Sequence, residues 1–365
     1  MRPTVGIISI GEMGLGMARL LKAHDYRVVT VTEGRSEHTL ARIHSAGIET
    51  LASDDDLVIQ ADYILSIVPP KNAMEMAQRI AQAYAYSTSP QGQTETADGA
   101  GRRPKRNELY YLELNAVPAR QAAEMANLFD AHEMKISDDP DESCTSGCHF
   151  LDGGIIGGPP QSTPDGAWTK PSVVLSGAVD MHRAPAFEAL ADVLNLQLVS
   201  AQIGAAKTLK LSFSALTKGL TALSIMSFST AQTASMLPQL LALLETHSPR
   251  TAALATHGVI GMSPKAYRWE DEMRGIGEML ESVGGWHVGG SVYGGIAEVY
   301  RTIAEDTLLG QERTEHRVRG MTVDDAARII ASREGMSSSC VGGTIPESNE
   351  SPMPSLGDGN GSASS

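Results

Sequence analysis

The chain has 365 residues, a length for two domains or three. Hydrophobic residues make up 42% and charged residues 20%, so the bulk can bury a core and is not intrinsically disordered. A formal net charge of −14 without a basic stripe argues against nucleic acid or an anionic membrane as a partner, and 3 cysteines rule out a disulfide scaffold.

The opening run, MRPTVGIISIGEMG, lacks the pattern of a signal peptide, and no uninterrupted apolar run reaches the ~18 residues of a membrane span. The expectation is a cytoplasmic protein. Thr4–Ile10 reads as a strand ending at Gly11, and Met13–Ala23 as a helix with Met13, Met17, Leu20 and Leu21 on one side. Tyr26–Thr32, Ala61–Val68 and Leu109–Asn115 read as further strands, with a helix at Gln121–Ala131 after Pro118. Phe150–Ile156, Ser172–Ser176 and Leu196–Ser200 complete the series. Alternating strands and helices predict an α/β Rossmann domain over 1–200 with a mainly parallel sheet.

The second half changes character. Ala205–Met236 contains no Pro and only Gly219, with apolar residues at Leu209, Phe213, Leu216, Leu220, Leu223 and Met226. This predicts one long helix, stopped before Pro238. Helices near 239–246, 249–258, 265–283, 294–309 and 323–333 complete an all-helical domain over 201–335. Low apolar content predicts a flexible insertion at 87–107, an acidic loop at 137–148 and a disordered tail at 336–365. The long helix suggests a homodimer through the helical domain.

The turn Gly11-Glu12-Met13-Gly14-Leu15-Gly16 joins the first strand to the first helix. Backbone N–H groups and the helix dipole there can hold a pyrophosphate. The usual fingerprint has Gly where this chain has Ser9. Near the end of the second strand, Arg35 and Ser36 suit a ribose 2′-phosphate, which favours NADP(H); Glu33 keeps NAD(H) as the alternative. Cys144, Cys148 and His149 lie in an acidic loop-like run without a second ligand pair, so no metal is expected.

The run from Gly6 to Ala18 resembles the start of the β-hydroxyacid dehydrogenases, which include 3-hydroxyisobutyrate and 6-phosphogluconate dehydrogenases. Four later segments fall in the same order as that family's landmarks: Ile67-Val68-Pro69, Glu113–Pro118, Asp152–Gly158 and Gly204–Lys210. From Lys210 onward the chain resembles the branch with a 6-phosphogluconate-dehydrogenase-like helical domain. The resemblance implies hydride transfer between nicotinamide and a small hydroxy acid or related carbonyl compound.

It also implies site roles. Lys210 would be the general acid/base, with Lys207 one turn earlier as the alternative. Gly11, Glu12, Met13, Gly14, Val68, Pro69 and Asn115 would meet the cofactor, together with Arg35 and Ser36. Asp152, Gly157, Gly158 and Lys218 would meet the substrate, and Tyr267, Arg268 and Glu272 could line the far wall. The chain departs from the family pattern in two respects: Ile156 stands where Ser is usual, and Phe213 and Ser214 where Asn is usual. These departures keep nucleotide binding without catalysis as an alternative reading; imine reduction, in enzymes of this architecture that usually lack the lysine, is another.

Overall fold

The structure, a computed structural model, describes residues 2–89, 108–130, 134–135, 145–313 and 316–332. Its first half is built on a twisted sheet. β1 (Thr4–Ile8), β2 (Arg27–Val31), β3 (Glu49–Leu51), β4 (Tyr63–Ser66) and β5 (Glu108–Glu113) are parallel to one another. β6 (Met134–Lys135) pairs antiparallel with β7 (Thr145–Ile156), and β8 (Gln161–Ser162) with β9 (Trp168–Thr169) forms a separate hairpin. β10 (Ser172–Ser176) and β11 (Leu196–Ser200) close one edge. The order is β11-β10-β7-β5-β4-β1-β2-β3, and β7 runs parallel to β5 but antiparallel to β10.

Strand alternation divides the core between the two faces. Ile7, Leu65 and Leu112 pack on one side, and Ile8, Ile64 and Tyr111 on the other. α1 (Glu12–Ala23), α2 (Glu37–Ser45), α3 (Asp54–Gln60), α4 (Ala73–Thr88), α5 (Ala119–Asp130) and α6 (Phe187–Leu194) accompany the sheet. The order reverses between β1 and β4, which opens a crevice at the carboxyl ends of those strands.

The β1–α1 turn is tight. Ser9 has φ +76°, the left-handed region that favours glycine, so it adopts the conformation of the fingerprint residue it replaces. Gly14 has no such latitude: a Cβ there would lie 2.2 Å from the Ser9 carbonyl oxygen.

The second half is helical: α7 (Ala205–Thr233), α8 (Leu237–His247), α9 (Pro249–Met262), α10 (Ala266–Ser282), α11 (Gly289–Asp306) and α12 (Val323–Ser332). α7 packs Leu211, Ala215, Ala222, Ile225 and Phe228 into a third core with Met273, Ile276 and Tyr300. The larger residues that mark this helix in the sequence face outward, Leu216 being 78% exposed. α7 is the one described helix long and apolar enough to cross a membrane by length and composition, and half of that window is buried within the chain.

Several boundaries differ from the sequence reading. Ser87 and Thr88 belong to α4, their hydroxyls donating back to the Tyr84 carbonyl, so the expected insertion does not begin at 87. Residues 145–148 of the expected acidic loop are strand, because β6 pairs with Thr145 and Ser146 and β5 with Gly147 and Cys148. The remainder of both segments, 90–107 and 137–144, and the expected tail at 336–365 lie outside the described residues.

Candidate active site

The sheet's carboxyl edge faces α7 and α10 across a cleft of about 810 Å³. On the sheet side it is lined by Ser9, by Gly11 to Gly14, and by Val68 and Pro69 after β4. Gly11 caps α1, and the Leu15 amide donates to its carbonyl at 2.8 Å. The first amides of α1 have no carbonyl within the helix to bond. A Cβ at Gly11 would meet nothing within 4 Å, so the helix end stands open to the cleft. This arrangement fits a dinucleotide pyrophosphate.

Asn115 also lines the cleft, yet its side chain is committed to the protein. Its Oδ1 accepts from the Val68 amide at 2.6 Å, and its Nδ2 donates to Ser66 Oγ at 3.1 Å and Glu113 Oε2 at 3.0 Å. It ties together the ends of β4 and β5 and thereby shapes the wall where Val68 and Pro69 stand.

Arg35 and Ser36 are placed differently from the sequence reading. Ser36 caps α2, accepting from the Thr39 amide at 3.4 Å. Arg35 is half-buried near Arg79 and Asp54; burial first, then Arg79, lowers its pKa. Neither is among the residues lining the cleft, whereas His38 and Arg42 of α2 are. Those two were missed in the sequence, although their i,i+4 spacing just after a capping serine is a readable signal.

The structure separates the two lysines at the start of α7. Lys207 is 0% exposed, as are Glu113 and Asp152. Its ammonium donates to the carbonyls of Glu113 (2.8 Å), Asn115 (3.0 Å) and Gly153, and lies 3.3 Å from Asp152 Oδ1 and 3.7 Å from Glu113 Oε1. Asp152 Oδ2 in turn accepts from Ser176 Oγ and the Gly204 amide, each at 2.9 Å. Lys207 and Asp152 thus bolt the N-terminus of α7 to β5, β7 and β10, and neither lines the cleft. Burial raises the Glu113 carboxyl above its ordinary pKa, opposed chiefly by Lys207.

Lys210, one turn on, does line the cleft and makes no hydrogen bond or ion pair among the described residues. Its stem lies on Gly154, where a Cβ would come within 2.8 Å of Lys210 Cδ and 2.9 Å of its Cβ. Burial lowers its pKa to about 8; Glu272 opposes this, and Lys218 and Lys207 add to it. An amine so poised can give or take a proton near neutral pH.

Lys218 continues the same helix face. It is paired with Glu272 of α10, and its ammonium sits 4.9 Å above the Trp269 ring. Burial works against ionisation of Glu272, but Lys218 and Lys210, with the Ser214 hydroxyl beside it, hold the carboxyl at about 2. Lys265, Tyr267 and Arg268 also line the cleft. Burial and Arg268 lower the Lys265 pKa, and Glu12 across the cleft opposes them.

Of the expected substrate contacts, Gly157 and Lys218 line the cleft, while Gly158 and Asp152 do not. Cys144 lies outside the described residues; Cys148 is buried in β7, and His149 stacks on Tyr110 with centroids 4.8 Å apart. Among the described residues no group of His, Cys, Asp and Glu could hold a metal ion.

Residues 4–92 match the family model described as the NAD binding domain of 6-phosphogluconate dehydrogenase. Residues 231–303 match a domain of unknown function, DUF1932. A comparison with curated proteins finds no match. Among solved structures, the 3-hydroxyisobutyrate dehydrogenase of Mycobacterium tuberculosis with L-serine is 14% identical, with a TM-score of 0.60 over 91% of this chain and 99% of its own. That from Salmonella typhimurium is 16% identical, with a TM-score of 0.57 over 90% and 98%. A conserved hypothetical protein from Sinorhizobium meliloti 1021 is 19% identical, with a TM-score of 0.56 over 91% and 97%. At these identities the likeness is one of fold. The chain joins an NAD-binding domain of the 6-phosphogluconate dehydrogenase type to a DUF1932 domain, in the fold of the 3-hydroxyacid dehydrogenases, as the resemblance in its motifs implied.

Proposed function

We propose that the protein is an NADP(H)-dependent oxidoreductase that moves a hydride between nicotinamide and a small hydroxy acid or related carbonyl compound. When bound, the nicotinamide supplies or accepts the hydride. The observation that carries the reading is Lys210, an uncommitted amine with a pKa of about 8 in the cleft that also holds the glycine turn. In reduction Lys210 gives its proton to the carbonyl oxygen; in oxidation it takes the hydroxyl proton. Asn115 fixes the strand ends beside the reacting centre.

The preference for NADP(H) rests on the arginines near the β2–α2 connection, Arg42 in the cleft beside His38 and Arg35 just before α2. Calorimetry with NADPH and NADH tests it. Wild type and Lys210→Ala are expected to bind NADPH more tightly than NADH, by about tenfold or more. Arg35→Ala and Arg42→Ala should each erode that preference. Equal affinities in wild type would assign the protein to NAD(H), and failure to bind either would remove the oxidoreductase reading.

We also propose a homodimer through α7. Leu209, Leu216 and Leu223 are exposed at steps of seven, a seam suited to a second helix. Sedimentation should show a dimer, and Leu216→Lys should shift it to monomer.

A further inference from the structure

The walls around the Lys210 amine divide by chemistry. On the sheet side β7 ends in Ile155 and Ile156, both half-buried and both lining the cleft, with Leu114 beside them. On the helix side Phe213 lines the same cleft and is 49% exposed. A three-residue step along α7 places it next to Lys210. The polar groups of this wall are already engaged. Lys218 is bound to Glu272, and Ser214 is buried beside the same carboxylate. Of the other cations that line the cleft, Lys265, Arg268 and Arg313 make no ion pair among the described residues; Lys265 lies toward Glu12 at the glycine turn, and Arg268 and Lys265 both act on Lys218.

Among these cations Lys210 is the one packed on β7 and one helical turn from Phe213, so a carboxylate set against Ile156 and Phe213 would take Lys210 as its counter-charge. An ammonium held by that carboxylate is not free to serve the reacting oxygen. Without Lys210, the carboxylate would be desolvated against Ile155, Ile156 and Phe213 with no partner, which is heavily penalised. An apolar substituent in the same place buries its own surface and covers that of Phe213.

We propose that the substrate presents an apolar group to Ile156 and Phe213, so that it is a small aliphatic or aromatic ketone, or the matching secondary alcohol. This rests on the oxidoreductase reading above and narrows it. In reduction the carbonyl carbon gains a hydride from the reduced nicotinamide, and the C=O π pair moves to oxygen. The Lys210 ammonium supplies the proton, which leaves oxidised nicotinamide, neutral amine and the alcohol. Ile156 and Phe213 set specificity by shape and by refusing charge.

The test uses two alcohols that differ only in isopropyl for carboxylate, 4-methylpentan-2-ol and 3-hydroxybutanoate. Each is titrated by calorimetry into the full-length protein loaded with NADP⁺, and turnover is followed separately. The apolar alcohol is expected to bind about tenfold or more tightly than the acid. Ile156→Ser combined with Phe213→Asn should abolish or reverse that preference while the melting temperature reports that the protein is folded. Equal binding, tighter binding of the acid, which would place a carboxylate on Arg268, or no binding of either alcohol overturns the proposal. A retained binding preference without hydride transfer from either alcohol overturns the oxidoreductase reading instead.

Discussion

Lys210→Met is expected to lower kcat by about 100- to 10,000-fold, the usual worth of a positioned general acid or base. Dinucleotide affinity should change by less than about twofold, because the glycine turn and the strand ends that line the nucleotide side of the cleft are separate from this amine. The pH profile gives the sharper readout. Burial lowers Lys210 to about 8, so its ammonium is present below that pH and its free amine above it. Carbonyl reduction needs the ammonium, and its rate should fall as pH rises through about 8. Alcohol oxidation needs the free amine, and its rate should rise through the same pH. Both limbs should vanish in Lys210→Met. Wild-type profiles that are flat from pH 7 to 9 in both directions would remove Lys210 from proton transfer.

The second large effect belongs to Lys207, a lysine that never meets the substrate cleft. Lys207→Met should cost about 3–5 kcal/mol of stability, measured by urea unfolding, because it leaves two buried carboxylates without their cation. Adding Asp152→Asn should recover part of the loss, since the charge and its partner then leave together. A single variant as stable as wild type would show that water or a proton replaces the ammonium at no cost. The two lysines thus separate by readout, one through rate and the other through stability.

The sequence cannot decide between them unaided. Lys207 and Lys210 are one helical turn apart, and spacing places both toward the sheet. What distinguishes them is the depth of the sheet beneath each, because the carbonyl ends of β5 and β7 close around Lys207 while Gly154 leaves room for the stem of Lys210. The strands at Ser172–Ser176 and Leu196–Ser200 were legible residue for residue, as was the start of the long helix at Ala205. α2 was not, since it buries only Ile43 and so carries little apolar periodicity. His38 and Arg42 went unseen with it. The start of β7 was hidden by the run SDDPDESCTSGCH, whose composition suits a loop. Its pairing with β5 is a long-range contact that no local pattern announces. The large apolar residues of α7 announced the helix but not which side of it is buried, and most of them face outward.

The bolt at the head of α7 bears on how this protein can be recombined. A domain boundary drawn from composition falls near residue 200, in the loop before the helix. A chimera joined there would pair one parent's Gly204 and Lys207 with another parent's Asp152, Ser176 and Glu113, so the bonds that seat the helix on the sheet would have to form between parents. The heritable unit runs further, through Gly204 to Lys210. Crossovers that exchange helical domains should therefore be cut inside the helix, beyond Lys210, so that the seat and the Lys210 amine travel with the sheet.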